Sequence, residues 1–220
     1  MKKLFLALAI IVCGLAVSAQ DRTDSLHVAH YDIHLNITDF STHRIFGYTD
    51  LQVVSKVDGL SHVNLDLQHL NVDSVFVGGI ATTDYSHEGN LLHINLPAPA
   101  CNNGDEVAVR VCYSGVPGTD SYFGGFYFSG EYCYNLGVAF RDLPHNFGRV
   151  WYPCLDFFTD KSTYTFHIET EAGKRAICGG YLQDSVATDS NTVIWNWILE
   201  EPVCTYLTSV AVGNYMHYAD

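Results

Sequence analysis

Tyr31, Ile33, Leu35 and Ile37 alternate with Asp32, His34 and Asn36. A period of two sends the two sets to opposite faces of an extended chain, so this stretch predicts a half-buried β-strand. The same alternation recurs in Val63, Leu65 and Leu67 against Asn64 and Asp66, and again in Val107, Val109, Val111 and Tyr113. Residues 163–169, 192–199 and 206–215 are dense in β-branched and aromatic side chains, which pack well on a pleated surface. Turn-forming clusters separate these runs, among them Gly78-Gly79, Asn102-Asn103-Gly104, Gly115-Val116-Pro117-Gly118 and Gly179-Gly180. Tyr127 to Tyr132 reads as a hairpin turning at Ser129-Gly130. After the first twenty residues no window of ten carries a sustained 3.6-residue apolar stripe. The predicted fold class is all-β, an antiparallel sandwich or large curved sheet.

The amino terminus follows a different pattern. Lys2 and Lys3 precede an apolar run from Leu4 to Val12, and Ala16-Val17-Ser18-Ala19 follows. A basic start, a short apolar stretch and small residues at −3 and −1 predict a secretory signal peptide over residues 1–19, with the mature domain over 20–220. The apolar run is shorter than the ~20 residues that span a bilayer, and no other segment qualifies as transmembrane. The expected location is therefore periplasmic or extracellular. Export makes pairing possible for Cys101, Cys112, Cys133, Cys154, Cys178 and Cys204. None of them is spaced C-x-x-C, and at most one or two bridges are expected. The 220 residues carry 11 Lys+Arg against 24 Asp+Glu. That balance excludes a nucleic-acid binder, which needs a basic face.

Candidate chemistry is sparse. His30, Asp32 and His34 share one strand face and include plausible zinc donors. The alternation that places them there equally predicts a solvated polar face, and no metal is assigned to this chain. His87-Glu88 has Leu91 where H-E-x-x-H needs its second histidine. No G-x-S-x-G elbow or phosphate-binding glycine loop occurs. The most unusual stretch is 140–156, which combines Arg141, Asp142, Pro144, His145, Arg149, Trp151, Pro153, Cys154 and Asp156. Alone it fits a folded loop in which Arg149 bonds backbone carbonyls or Asp156.

At Arg149-Val150-Trp151-Tyr152-Pro153-Cys154-Leu155-Asp156 the chain resembles the amino-terminal domain of the aminopeptidase N type of zinc metallopeptidase, the gluzincin aminopeptidases. His30 to Leu35, Phe46-Gly47-Tyr48, Leu65 to Leu70, Leu91 to Pro97 and Glu201 to Tyr215 resemble successive stretches of that domain in the same order. The resemblance implies a saddle-shaped antiparallel β domain packed on a thermolysin-like catalytic domain. It implies zinc in the complete enzyme, peptide substrates with a free N-terminus, and a catalytic domain of the same polypeptide as partner. The family's H-E-x-x-H motif is absent from these 220 residues, so the chain is expected to hold no catalytic residue, no cofactor of its own and no peptidase activity alone.

In many relatives a Gln or Glu about a dozen residues before the Asp of Pro-Cys-x-Asp binds the substrate amine. That count reaches Pro144 here, and a shifted alignment supplies Asp142 or His145 instead. These two are the candidate substrate-binding residues. Arg149, Trp151, Pro153, Cys154 and Asp156 are expected to build the loop. The competing reading is a free-standing secreted β-sandwich binding or adhesion module derived from the same domain.

Overall fold

The computed structural model describes residues 22–216. The expected signal peptide lies outside them. Fifteen strands, one four-residue helix and two 3-10 turns make up the described secondary structure. No helix among the described residues is long and apolar enough to cross a membrane.

An eight-stranded sheet forms the frame. Its spatial order is β13 (Tyr181–Ala187), β14 (Thr192–Val203), β11 (Ser162–Glu171), β1 (Leu26–Asp39), β2 (Arg44–Ser55), β8 (Glu106–Gly115), β4 (Asn71–Val77) and β5 (Ile80–Thr82). A four-stranded sheet runs β12 (Arg175–Cys178), β15 (Val210–Gly213), β10 (Tyr132–Leu136) and β9 (Gly125–Ser129). A three-stranded sheet contains β3 (His62–Asp66), β7 (Leu91–Asn95) and β6 (Tyr85–Glu88). The architecture is all-β.

Alternation along the central strands decides which face is covered. Tyr31, Ile33, Leu35 and Ile37 of β1 and Tyr164, Phe166 and Ile168 of β11 are buried. Leu51 and Val53 of β2 and Val109, Val111 and Tyr113 of β8 join them. Burying one such side chain contributes roughly 1.5–3 kcal/mol. Val63, Leu65, Leu92 and Ile94 of the three-stranded sheet belong to the same cluster, as do Ala176, Val210 and Val212 of the four-stranded sheet. One core therefore lies between the inner face of the large sheet and the two small sheets. At its centre Tyr31 stacks on Tyr164 at 5.1 Å and meets Tyr152 edge-on at 5.6 Å. The opposite face of the large sheet carries His30, Asp32, His34, Tyr48, Asp50, Arg110 and His167.

Two expectations are corrected. The large sheet is not wholly antiparallel, because β1 pairs β11 in parallel, from His30 opposite Thr163 to Ile37 opposite Thr170. Parallel neighbours need a crossover connection; here it is the whole of the chain from β2 to β10 with its loops. Residues 206–215 do not make one strand: a 3-10 turn at Thr205–Leu207 precedes β15. Thr208 donates its hydroxyl to the Thr205 carbonyl at 2.6 Å and Thr205 donates its own to Asp156 at 2.5 Å. Such side-chain bonds compete with a strand ladder. The six described cysteines are all free, with Cys133, Cys154, Cys178 and Cys204 buried as small apolar side chains.

Candidate functional site

Between β10 and β11 the chain makes a long irregular loop, residues 137–161, whose only regular piece is a 3-10 turn at Gly148–Val150. Its centre is Arg149, 2% exposed, against Asp156, fully buried. Arg149 Nη1 donates to Asp156 Oδ2 at 3.0 Å and also to the Asn146 carbonyl. Its Nη2 donates to the Pro144 carbonyl at 3.2 Å, and its Nε to Gln68 Oε1 at 2.9 Å. One guanidinium thus gathers the loop at several points, a use for which its planar set of five N–H donors suits it. Burial raises the Asp156 carboxyl above its ordinary range, while the Thr205 hydroxyl and Arg149 oppose that rise.

The loop is also sewn to its surroundings. Asp66 and Cys154 exchange backbone hydrogen bonds at 2.7 and 3.0 Å, and Gln68 N donates to the Arg149 carbonyl at 2.8 Å. Asp66 accepts both Arg22 Nη2, at 2.8 and 2.9 Å, and Asp156 N, at 3.1 Å. Leu155 N donates to the Tyr31 hydroxyl at 3.0 Å. Trp151, Tyr152 and Cys154 are fully buried beneath the loop. Gly137 lies so close to Tyr206 that a Cβ there would sit 2.0 Å from the Tyr206 carbonyl oxygen. Only glycine permits that approach.

Asp142 and His145 stand on the outer rim, on either side of Leu143 and Pro144. Asp142 is half-buried, and its Oδ2 accepts from Gln68 Nε2 at 3.2 Å. Its Oδ1 takes no hydrogen bond among the described residues. His145 is exposed, and its carbonyl accepts from Ala139 N at 2.8 Å. Asp120 fixes this rim. Its Oδ1 accepts Tyr122 N and Phe123 N, and its Oδ2 accepts Arg141 N and Asp142 N, all within 2.7–2.8 Å. Burial works against the Asp120 charge, yet these N–H groups hold its carboxyl well below the usual range.

Gln68, Asp120 and Asn146 carry this arrangement, and sequence reasoning did not single them out. The Asp66-Leu67-Gln68 stretch was a visible signal, since it lies in one of the family-like segments. Large apolar side chains surround the rim: Tyr122 at 70% exposure, Phe140 at 59% and Leu143 at 75%. Tyr122 and Phe140 are in ring contact at 4.8 Å, and Phe140 N donates to the Phe123 carbonyl at 3.2 Å.

Metal-type donors converge elsewhere, on the outer face of the large sheet. Asp32, His34 and His167 bring one ligand atom each within 4.8 Å of one another. His30 is not part of this group; its Nδ1 faces Thr163 Oγ1 at 2.7 Å and its Nε2 faces Thr165 Oγ1 at 3.1 Å. The expected solvated face is thus partly replaced by a side-chain cluster, because the parallel register sets His167 beside His34.

Residues 27–207 match the sequence model of the family described as the Peptidase M1 N-terminal domain. The chain belongs to that family. Among relatives, leukotriene A-4 hydrolase of Xenopus laevis is 26% identical over 206 residues, covering 86% of this chain and 32% of that protein. Transcription initiation factor TFIID subunit 2 of Drosophila melanogaster is 22% identical over 236 residues, covering 88% of this chain and 19% of its own length. An M1 zinc metallopeptidase of Deinococcus radiodurans has the same fold, with a TM-score of 0.76, 24% identity and coverage of 86% of this chain and 42% of that one. Aminopeptidase A of Legionella pneumophila, in complex with aspartic acid, gives a TM-score of 0.70 at 16% identity, covering 86% and 21%. This M1 N-terminal domain therefore spans less than half the length of any of these proteins. Its 220 residues hold no H-E-x-x-H pair.

Proposed function

We propose that this chain is the amino-terminal domain of an exported zinc aminopeptidase, packing on and capping a catalytic domain of the same polypeptide. The observation that carries the reading is the loop rim. A buried Arg149–Asp156 pair fixes a loop that presents Asp142 and His145 amid exposed Tyr122, Phe140 and Leu143. A contiguous apolar patch around fixed polar groups is what an interdomain contact requires. Asp142 is placed to accept the α-ammonium of a peptide substrate through its open Oδ1, a charge-assisted bond. Gln68, itself held by Arg149, steadies the other oxygen.

Zinc and hydrolysis belong in this reading to residues beyond this domain, and the 220-residue chain alone is inactive. The competing reading is a free-standing secreted β-sandwich binding or adhesion module derived from the same domain. The reading frame after Asp220 separates them: an in-frame H-E-x-x-H segment supports the first, and a stop codon with stable secretion of the short chain supports the second. In the enzyme carrying an H-E-x-x-H segment in frame after Asp220, Asp142→Ala should raise KM for an aminoacyl-p-nitroanilide about tenfold, the effect of losing roughly 1.4 kcal/mol. Unchanged KM and kcat would remove Asp142 from amine binding. Zinc-dependent turnover by the 220-residue chain itself, lost with a chelator, would overturn its inactivity.

A further inference from the structure

The outer face of the eight-stranded sheet holds a cluster that the aminopeptidase reading does not use. Asp32 and His34 are two residues apart on β1, so they project to the same side. The parallel register pairs His34 with His167 of β11. Asp32 Oδ1 lies 3.3 Å from His34 Nε2 and 3.2 Å from His167 Nε2. We infer that Asp32, His34 and His167 form a binding site for a zinc-class divalent cation that ties β1 to β11.

Three observations carry this. First, ligands about 2.0–2.1 Å from a tetrahedral zinc stand about 3.3 Å from one another. The separation of His167 Nε2 from Asp32 Oδ1 has that length, and His34 Nε2 lies as close before its ring turns. Second, Oδ1 of Asp32 is shielded from water and has no well-directed hydrogen bond, although both ring nitrogens are close. The contacts have ion-pair separations without the direction of N–H donation. A shielded carboxylate oxygen without a donor is costly, and a cation between it and the rings satisfies it.

Third, the tautomer of His167 is set from behind. Asn196 Nδ2 donates to Asp184 Oδ1, which turns Asn196 Oδ1 toward His167 Nδ1 at 2.6 Å. A carbonyl oxygen there takes the ring N–H. In the neutral ring Nε2 then carries no proton and keeps its lone pair free beside Asp32, the state that an outer partner gives to a metal-ligating histidine.

His34 supplies the adjustable ligand. Its ring stacks on Tyr48 at 4.3 Å and on His167 at 4.2 Å, with the imidazole planes 18° apart. Nearly parallel rings do not converge on one ion, so His34 turns on loading; stacking, rather than a hydrogen bond among the described residues, holds it. The surrounding field favours a cation. Asp50 lies on the adjoining β2 and Asp184 on β13, one strand further out beyond β14, and the neighbouring Arg110 is already paired with Asp50 at 2.6 Å. Two imidazoles and a carboxylate form a borderline donor set that suits zinc. A fourth position faces a cleft of about 500 Å³ bordered by Phe46, Tyr48, Val186 and Ile194, leaving room for a bound water.

The test is zinc titration of the full chain by calorimetry, with X-ray absorption of the loaded protein. One zinc per chain is expected, with a nitrogen/oxygen shell at about 2.0–2.1 Å and no sulfur at about 2.3 Å. Asp32→Ala, His34→Gln and His167→Gln should each weaken binding at least tenfold, and Asn196→Ala about 10–100-fold. His30→Ala, on the same strand face, should leave affinity unchanged. Circular dichroism of each variant separates lost binding from lost folding, and His34→Gln keeps the side chain's bulk if alanine unfolds the strand. No stoichiometric binding, a sulfur shell from the free cysteines, or affinity untouched by His167→Gln in a folded protein would overturn the site.

Discussion

Arg149→Met tests whether the loop is held from within. The substitution keeps the length of the side chain and removes its charge and all five donors. Asp156, fully buried, keeps the Thr205 hydroxyl at 2.5 Å and the Arg149 backbone N–H at 3.3 Å, but loses its counter-ion at 3.0 Å. Gln68 Oε1 and the carbonyls of Pro144 and Asn146 lose their donor at the same time. Breaking a buried pair from one side costs about 3–5 kcal/mol, because an uncompensated charge stays behind. For a domain of this size that is a fall in Tm of about 10 °C. Urea and thermal melts of the wild type, Arg149→Met, Asp156→Asn and the double variant form a cycle. The double variant should be less destabilised than the sum of the singles by about 2 kcal/mol. The sign with pH follows from Asp156. Its folded carboxyl is raised by burial, so the native state binds the proton more tightly, and stability from this group falls as pH rises through the carboxylate range. Without Arg149 that fall steepens, so the deficit of Arg149→Met should be larger at pH 7 than near pH 4. A deficit below about 1 kcal/mol, an additive cycle, or a deficit independent of pH would refute the reasoning.

Asp120→Ala should lower Tm at neutral pH and expose the rim to proteolysis near Tyr122 and Arg141. Because the Asp120 carboxyl is held well below its ordinary value, its contribution is present above about pH 4 and fades as pH falls through the acid range. A wild-type–variant difference as large at pH 2 as at pH 7 would contradict the four backbone bonds. Gly137→Ala should cost about 1–3 kcal/mol through its clash with the Tyr206 carbonyl. Gly179→Ala, with its nearest contact at 3.5 Å, should be close to neutral, and melts of both variants compare them directly. Among the thiols, Cys133 is pushed up to about 12 by burial, and Cys154 and Cys178 are raised for the same reason. Native-state thiol titration should therefore label half-buried Cys101 and Cys112 first, and these three only after denaturation; fast labelling of Cys154 would argue against the packed loop.

What the chain reveals before folding divides by distance along it. Period-two alternation is local, so β3 and β8 were legible to within a residue or two and β1 in its central part, and the hairpin at Ser129-Gly130 appears as β9 and β10. The loop from Arg149 to Asp156 was legible as a unit because its pair is seven residues apart. The rest depends on meetings that no local pattern encodes. Gln68 reaches Arg149 across 81 positions, and Asp120 reaches Arg141 across 21. His167 lies beside His34 only because β1 and β11 run parallel with 133 positions between partners, as the His30–Thr163 contact shows. An antiparallel pairing of those two strands would have reversed that register and moved His167 to a different neighbour. The sequence showed three donors on β1, His30, Asp32 and His34; the fold breaks up that set and assembles another. The direction of one strand pair thus decides which histidine faces Asp32, and so whether this sheet face is merely solvated or is a place to hold an ion.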